Sequence, residues 1–308
     1  MTETINLQGK MEGVYSFKAI NSLTNQERDL SAYIAEDHFN LILNSGLNYL
    51  GTNYVGTYCC VGTGSTPVNA SQTALVSQVA QTSTIQAQSA GNQSTPPYFT
   101  WGRLTFRFGQ GVAAGNLTEV GIRSDAGPNS ALFSRALIVD SGGNPTTLTI
   151  LSDEYLDVTY ELRFYPEMND QTYELTLYGE NYSVLVRPAN VTSVTVIQAQ
   201  GYFFQSVNNY YYTQYYYFNG AIGTVTGQPS GSSYSNSTGY GAYVSNSYER
   251  NFICSLGLND GNLSGGIRSI LIKTHKADWQ LQFTPPIPKD SFKTLVLNIY
   301  TSWSPYTP

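Results

Sequence analysis

Apolar and polar side chains alternate along much of the chain. Leu104-Thr105-Phe106-Arg107-Phe108, Leu156-Asp157-Val158-Thr159-Tyr160-Glu161-Leu162-Arg163-Phe164 and Val191-Thr192-Ser193-Val194-Thr195-Val196-Ile197 place β-branched, aromatic or aliphatic residues at period two. A pleated strand directs such residues to one face, so each segment is predicted to be a half-buried strand. Turn clusters such as Asp140-Ser141-Gly142-Gly143-Asn144-Pro145 separate them, and their glycines permit the positive φ angles of tight hairpins. The pattern predicts an all-β chain of antiparallel sheets packed as sandwiches.

One stretch departs from this rhythm. Phe39, Ile42, Leu43, Leu47 and Leu50 recur at spacings of three and four behind Glu36-Asp37, which predicts a short helix near 36–50 with acidic charge at its positive dipole end. Gly46 within it can instead mark its end. A second short helix is predicted over Thr73 to Ala80, where Leu75, Val76 and Val79 share a face.

The second half echoes the first. Arg135-Ala136-Leu137-Ile138 has a counterpart in Arg268-Ser269-Ile270-Leu271-Ile272, and Gly115-Asn116-Leu117-Thr118 one in Gly261-Asn262-Leu263-Ser264. An offset near half the chain is what a tandem pair of modules gives. Residues 1–170 and 171–308 are therefore expected to form two β-sandwiches, jelly-roll-like in character. Residues 205–247, rich in Tyr, Gly and Ser, hold too few aliphatic side chains for a core of their own and are expected to project as a loop or long hairpin.

Charge changes the picture next. Among 308 residues there are 15 Lys or Arg and 21 Asp or Glu, 12% in all, about half the roughly 25% usual in soluble proteins. Polarity must come from Ser, Thr, Asn, Gln and the 25 tyrosine hydroxyls, a composition suited to contact with protein or sugar. The net charge of −6 supplies no cationic field for phosphates, which argues against nucleic acid as a partner. Met1-Thr2-Glu3-Thr4-Ile5-Asn6 lacks the order of a signal peptide, and no apolar run approaches the roughly 20 residues of a membrane span. Synthesis in a cytoplasm without membrane insertion is the expectation.

Candidate chemistry is sparse. The only imidazoles, His38 and His275, stand in no nucleophile motif. The carboxylate pairs Asp153 with Glu154 and Glu167 with Asp170 adjoin turns, where solvated carboxylates are expected. Asp260-Gly261-Asn262, and Glu167 with Asn169 and Asp170, lack the ligand spacing of a calcium loop. Gly62-Thr63-Gly64-Ser65-Thr66-Pro67 lacks the lysine of a phosphate loop, so Gly62, Gly64 and Pro67 are read as a structural turn. Cys59, Cys60 and Cys254 are expected to be buried thiols, the adjacent two on opposite faces of a strand. No catalytic residue, metal or cofactor is expected. Contact with a neighbouring subunit, or with a glycan, is expected of Tyr210, Tyr211, Tyr212, Tyr215, Tyr216, Tyr217, Phe218, Tyr234, Tyr240 and Tyr243.

His38-Phe39-Asn40-Leu41-Ile42-Leu43-Asn44-Ser45-Gly46-Leu47, followed by Val61-Gly62-Thr63-Gly64-Ser65-Thr66-Pro67 and Thr73-Ala74-Leu75, then Asn116-Leu117-Thr118-Glu119-Val120-Gly121-Ile122 and Leu132-Phe133-Ser134-Arg135-Ala136-Leu137-Ile138, resembles tail-fibre-like and related virion proteins of tailed bacteriophages. The likeness covers roughly residues 10 to 166. It implies a non-enzymatic β-sandwich component of a virion, in the tail, baseplate, neck or collar, or at a fibre attachment. Such a protein would be assembled in a bacterial host's cytoplasm with copies of itself and other virion proteins. The alternative expectation is a receptor-binding protein whose tyrosine-rich loop stacks on host surface glycans.

Overall fold

A computed structural model describes residues 4–33, 40–52, 56, 58–123, 130–193, 202–204, 213–236 and 239–306. The chain opens with β1 (Ile5–Asn21), followed by β2 (Glu27–Asp29), β3 (Asn40–Ile42) and the short helix α1 (Asn44–Tyr49). Strands β4 (Cys59–Gly62), β5 (Gln78–Thr82), β6 (Ile85–Asn92) and β7 (Thr100–Phe108) come next. After them run β8 (Gly115–Leu117), β9 (Glu119–Arg123), β10 (Leu132–Leu137), β11 (Leu148–Ile150) and β12 (Glu154–Pro166). The second half holds β13 (Gln171–Leu177), β14 (Glu180–Ala189), a 3-10 turn at Tyr202–Phe204, β15 (Gln214–Phe218) and β16 (Ser233–Asn236). It ends with β17 (Glu249–Leu256), β18 (Ile267–Lys273), β19 (Asp278–Ile287) and β20 (Leu295–Pro305).

These strands form a large sheet in the order β17-β20-β1-β12-β7-β6, with β2 on β1, a five-stranded sheet β3-β10-β9-β4-β5, a six-stranded sheet β13-β14-β19-β18-β15-β16, and the small pair β11-β8. Among the described strands every pairing is antiparallel except β1 with β20, which run parallel from Ile5 beside Ile299 to Met11 beside Pro305. The large sheet is a shared layer. Its β1, β12 and β7 turn Tyr15, Phe106, Val158 and Tyr160 inward. There Tyr15 hydrogen-bonds with Ser134 of the five-stranded sheet (2.7 Å), and Phe133 meets the Tyr160 ring edge-on at 6.4 Å. Its β17 turns Cys254 toward the hydroxyls of Tyr215 and Tyr217 of the six-stranded sheet. Each such Leu, Phe or Val side chain contributes about 1.5–3 kcal/mol on burial.

The all-β sandwich character predicted by alternation is therefore present, and Leu104–Phe108 and Leu156–Phe164 lie within β7 and β12. The division at residue 170 requires correction. β17 and β20, from beyond it, complete the sheet begun by β1, and one apolar core runs through both halves. The paired echoes also differ in structure: Gly115–Leu117 is a strand whereas residues 261–264 lie in the loop between β17 and β18, and Arg135 is buried whereas Arg268 is exposed. Short alternating phrases recur in any β-rich chain, and period two carries no information about which sheet a strand joins.

Helix α1 covers only the last part of its predicted range, because residues 40–42 pair with β10 as a strand; residues 36–39 lie outside the described set. Gly46 does not end the helix. A Cβ there would overlap the Phe133 carbonyl, so glycine lets β10 approach the helix backbone. The helix predicted over Thr73 to Ala80 is absent. Bends at 74–77 lead into β5, leaving Leu75 buried and Val76 and Val79 exposed. Val191–Ser193 form a turn rather than a strand, and the rest of that segment, 194–197, is outside the described residues.

Candidate assembly surface

The turn at Gly62, Gly64 and Pro67 is held by a buried polar clamp. Glu119 on β9 and Arg135 on β10 are fully buried neighbours, with Arg135 Nε donating to Glu119 Oε2 at 2.9 Å. The carboxylate also accepts backbone N–H groups from Gly64 (3.0 Å), Val76 (3.1 Å) and Ser77 (2.8 Å). Arg135 donates onward to Gln72 Oε1 (2.9 Å) and the Thr66 carbonyl (3.0 Å). This ion pair, together with the Leu132 N–H on the Thr73 carbonyl and the Thr118 hydroxyl on the Gly64 carbonyl, fastens the 62–77 loop to β9 and β10. Gly62 and Gly64 are obligatory in it, since a Cβ at either would overlap Ser77 O or Glu119 Oε1. Pro67 is exposed, its carbonyl accepting from Gln72 Nε2 at 3.3 Å. The phrases around Gly62, Glu119 and Arg135 that carry the resemblance belong to this one clamp.

The tyrosines divide. Tyr210, Tyr211 and Tyr212 lie outside the described residues. Tyr215 and Tyr217 are fully buried and are corrected to core residues, because β15 pairs centrally between β16 and β18 and turns them against Cys254. Burial in turn raises the Tyr217 hydroxyl and the Cys254 thiol far above their ordinary pKa values. Phe218 packs with Leu271 and Ala189, and Tyr216 packs partly buried against them, its hydroxyl donating to Gln214 Oε1 at 2.8 Å. Tyr234 donates to Asp260 Oδ1 at 2.8 Å. Tyr243 stacks on Trp303 (6.1 Å, 21°) and donates to Asn48 Oδ1 at 3.1 Å. Among the described members, Tyr240, beneath the Arg250 guanidinium at 4.8 Å, is the one that stays exposed, at 41%. The described part of 205–247 contains the expected long hairpin, β15 with β16, but it lies within the six-stranded sheet and its loop is held to β14 and β19 by Arg187 and Gln280 rather than projecting.

Ionisable groups are mostly engaged within the chain. Glu154 is buried rather than solvated, gripped by Arg28 Nε (2.8 Å) and Nη2 (2.6 Å), which holds it below the usual carboxylate range. Asp153 accepts from Asn21 at 2.7 Å, Glu167 from Asn169 at 2.8 Å, and Asp170 pairs with Arg187. At Asp260-Gly261-Asn262, Asn262 Oδ1 accepts the Lys289 ammonium at 2.7 Å, so a cation of the protein's own already braces that turn. His38 is outside the described residues, and His275 lies in the turn joining β18 to β19, where it is fully buried. Cys59, Cys60 and Cys254 are free and buried, Cys59 and Cys60 facing separate apolar clusters. Among the described residues no three His, Cys, Asp or Glu side chains are grouped to hold a metal.

Two consecutive edge strands carry no charged side chain of their own, although Gln78 and Gln81 of β5 accept from the Arg123 guanidinium (2.6 and 3.3 Å). β6 ends the large sheet and β5 ends the five-stranded sheet, and they are consecutive in the chain. Residues 85–89 are exposed on both faces. The Gln93 N–H bonds to the Phe99 carbonyl (2.8 Å), and antiparallel alternation then turns the backbone groups of Gln88 and Ala90 away from the sheet. No Asp, Glu, Lys or Arg occurs between Asp37 and Arg103, whereas isolated edges are usually guarded by charge, proline or bulges. A bulge near Ile85 is the only such guard within β6. That charge-free span was legible in the sequence and marks the surface better than the tyrosine runs do. Comparison with protein-family models, curated proteins and solved structures gave no match.

Proposed function

We propose that the chain is a structural component of a tailed-phage virion that acts through protein–protein interfaces and catalyses no reaction. The observation that carries this reading is the pair of uncharged edge strands β5 and β6, of which β6 is exposed over residues 85–89. Edges of this kind invite pairing by another chain, and low surface charge costs little solubility once subunits are permanently assembled. The resemblance around Gly62, Glu119 and Arg135 supports a phage particle, built in a bacterial cytoplasm from copies of this chain and other virion proteins. The glycan-binding alternative through the tyrosine-rich segment has less support, because Tyr215 and Tyr217 are internal.

The test is light scattering of the purified chain, together with immunogold imaging of particles using an antibody to it. Oligomers and labelled particles are expected. Gln86→Lys with Gln88→Lys is expected to abolish oligomerisation and incorporation while leaving the melting temperature unchanged. A wild-type chain that stays monomeric and labels no particle overturns the reading.

A further inference from the structure

On the outer face of the large sheet, the ends of β20, β1 and β12 form the floor of a groove of about 630 Å³. That is within the roughly 300–1,000 Å³ typical of small-molecule sites. The floor is low because Ser302 and Ser304 stand beside Gln8 and Lys10 in parallel register. Short side chains there leave a depression between taller walls. Gln8, Lys10, Ser302 and Ser304 line the groove, and their side chains have no hydrogen-bond partner among the described residues.

One wall is aromatic. Tyr165 and Tyr306 stack at 4.2 Å and 20°, and Tyr165 is pinned from behind by donation to Glu12 Oε2 at 2.6 Å. Pro96, Pro97 and Tyr98 continue that side. The opposite wall is Tyr248, whose φ of 53° is unusual for a bulky residue. It persists because the loop is fastened at both ends: Asn48 Oδ1 accepts the Asn246 N–H (2.6 Å), and the Tyr248 carbonyl accepts the Trp303 N–H (3.0 Å). Strain held in this way recurs where geometry is needed for binding.

The geometry points to a carbohydrate-binding groove that takes a neutral oligosaccharide, with a pyranose ring between Tyr306, which Tyr165 and Phe99 back, and Tyr248, and its hydroxyls on the serine and glutamine floor. Aromatic rings supply apolar area with a polar handle, and with Lys10 and Glu167 both in the lining the groove offers no net charge for an ionic ligand. A sugar hydroxyl both donates and accepts, matching Ser302, Ser304 and Gln8. A proline-rich peptide, the other occupant of tyrosine-and-proline grooves, has no N–H to offer those acceptors. This inference is independent of the assembly role, since binding needs only the soluble chain.

The test is titration of the full chain with maltohexaose, cellohexaose, chitotetraose, mannohexaose and decaproline, read by Trp fluorescence and protein-observed NMR. At least one saccharide is expected to bind, and Tyr306→Ala and Ser304→Arg are each expected to weaken it by about tenfold or more. Tyr240→Ala, which lines no part of the groove, should leave affinity unchanged. Ser304 is exposed, so its arginine variant should keep the wild-type melting temperature and remain informative if Tyr306→Ala unfolds. Absence of saccharide binding, saccharide binding indifferent to Ser304→Arg, or binding of decaproline alone each overturns the inference.

Discussion

Glu119 and Arg135 show why a buried ion pair cannot be valued as a pair alone. Replacing such a pair by apolar residues is often neutral, whereas removing one partner costs about 3–5 kcal/mol. Glu119, however, also accepts three loop N–H groups, and each buried donor left unmet costs about 1–3 kcal/mol. Arg135→Met is therefore expected to lower unfolding free energy by several kcal/mol, and Glu119→Leu with Arg135→Met is expected not to restore it. Urea denaturation measures both; full recovery in the double variant would show that the loop contacts contribute nothing. Asp278 gives a second expectation. Burial pushes its carboxyl up to about 6, against the opposing effects of Asn190, which donates at 2.9 Å, and Lys273. Between its ordinary value near 4 and this raised value, the folded chain keeps a proton that the unfolded chain has released, so stability falls as pH rises through that window. Asp278→Asn mimics the protonated acid. It is expected to raise the melting temperature by a few degrees at pH 8 and to have no effect at pH 4. Lys276, lowered to about 7 by burial, is common to both proteins at each pH and drops out of the comparison.

Among elements, the loop between β4 and β5 depends on glycine more than on length. Gly64→Ala forces a Cβ against Glu119 Oε1 and Val76 Cβ and is expected to destabilise by about 1–3 kcal/mol. Gly227→Ala, which meets only Thr224 at 3.5 Å or more, should be nearly silent in the same melting assay. The strands β7 and β12 were legible because Leu104, Phe106, Leu156 and Val158 repeat at period two over a length that no helix tolerates. The failures have equally local causes. The Leu75, Val76 and Val79 spacing suits a helix face, but Glu119 captures the Val76 and Ser77 amides and fixes a bend there. Tyr215 and Tyr217 look like surface residues by hydroxyl count, yet β15 has a partner on each side and buries them. Nor could the groove be read from the sequence, since Gln8, Tyr98, Tyr165, Tyr248 and Ser304 come from five distant segments.

Across the whole molecule, the parallel pairing of β1 with β20 makes the fold indivisible at the place where the chain seemed to repeat. β1 lies between β12 and β20, and Trp303 of β20 donates through Nε1 to the Leu47 carbonyl of α1 at 2.7 Å. Residues 1–170 expressed alone would lose β20 and β17. The Ile5–Met11 edge would be bare, and the core that extends from Leu7 to Ile299 and Leu297 would open to water. With the first half already carrying the uncharged edges β5 and β6, a further unguarded edge favours aggregation over folding. The fragment is accordingly expected to give broad amide NMR signals and no cooperative melt, whereas the full chain melts in one transition. A soluble 1–170 fragment with dispersed signals and a sharp transition would instead mean that the first half is an autonomous sandwich, with β17 and β20 added to it as an optional extension.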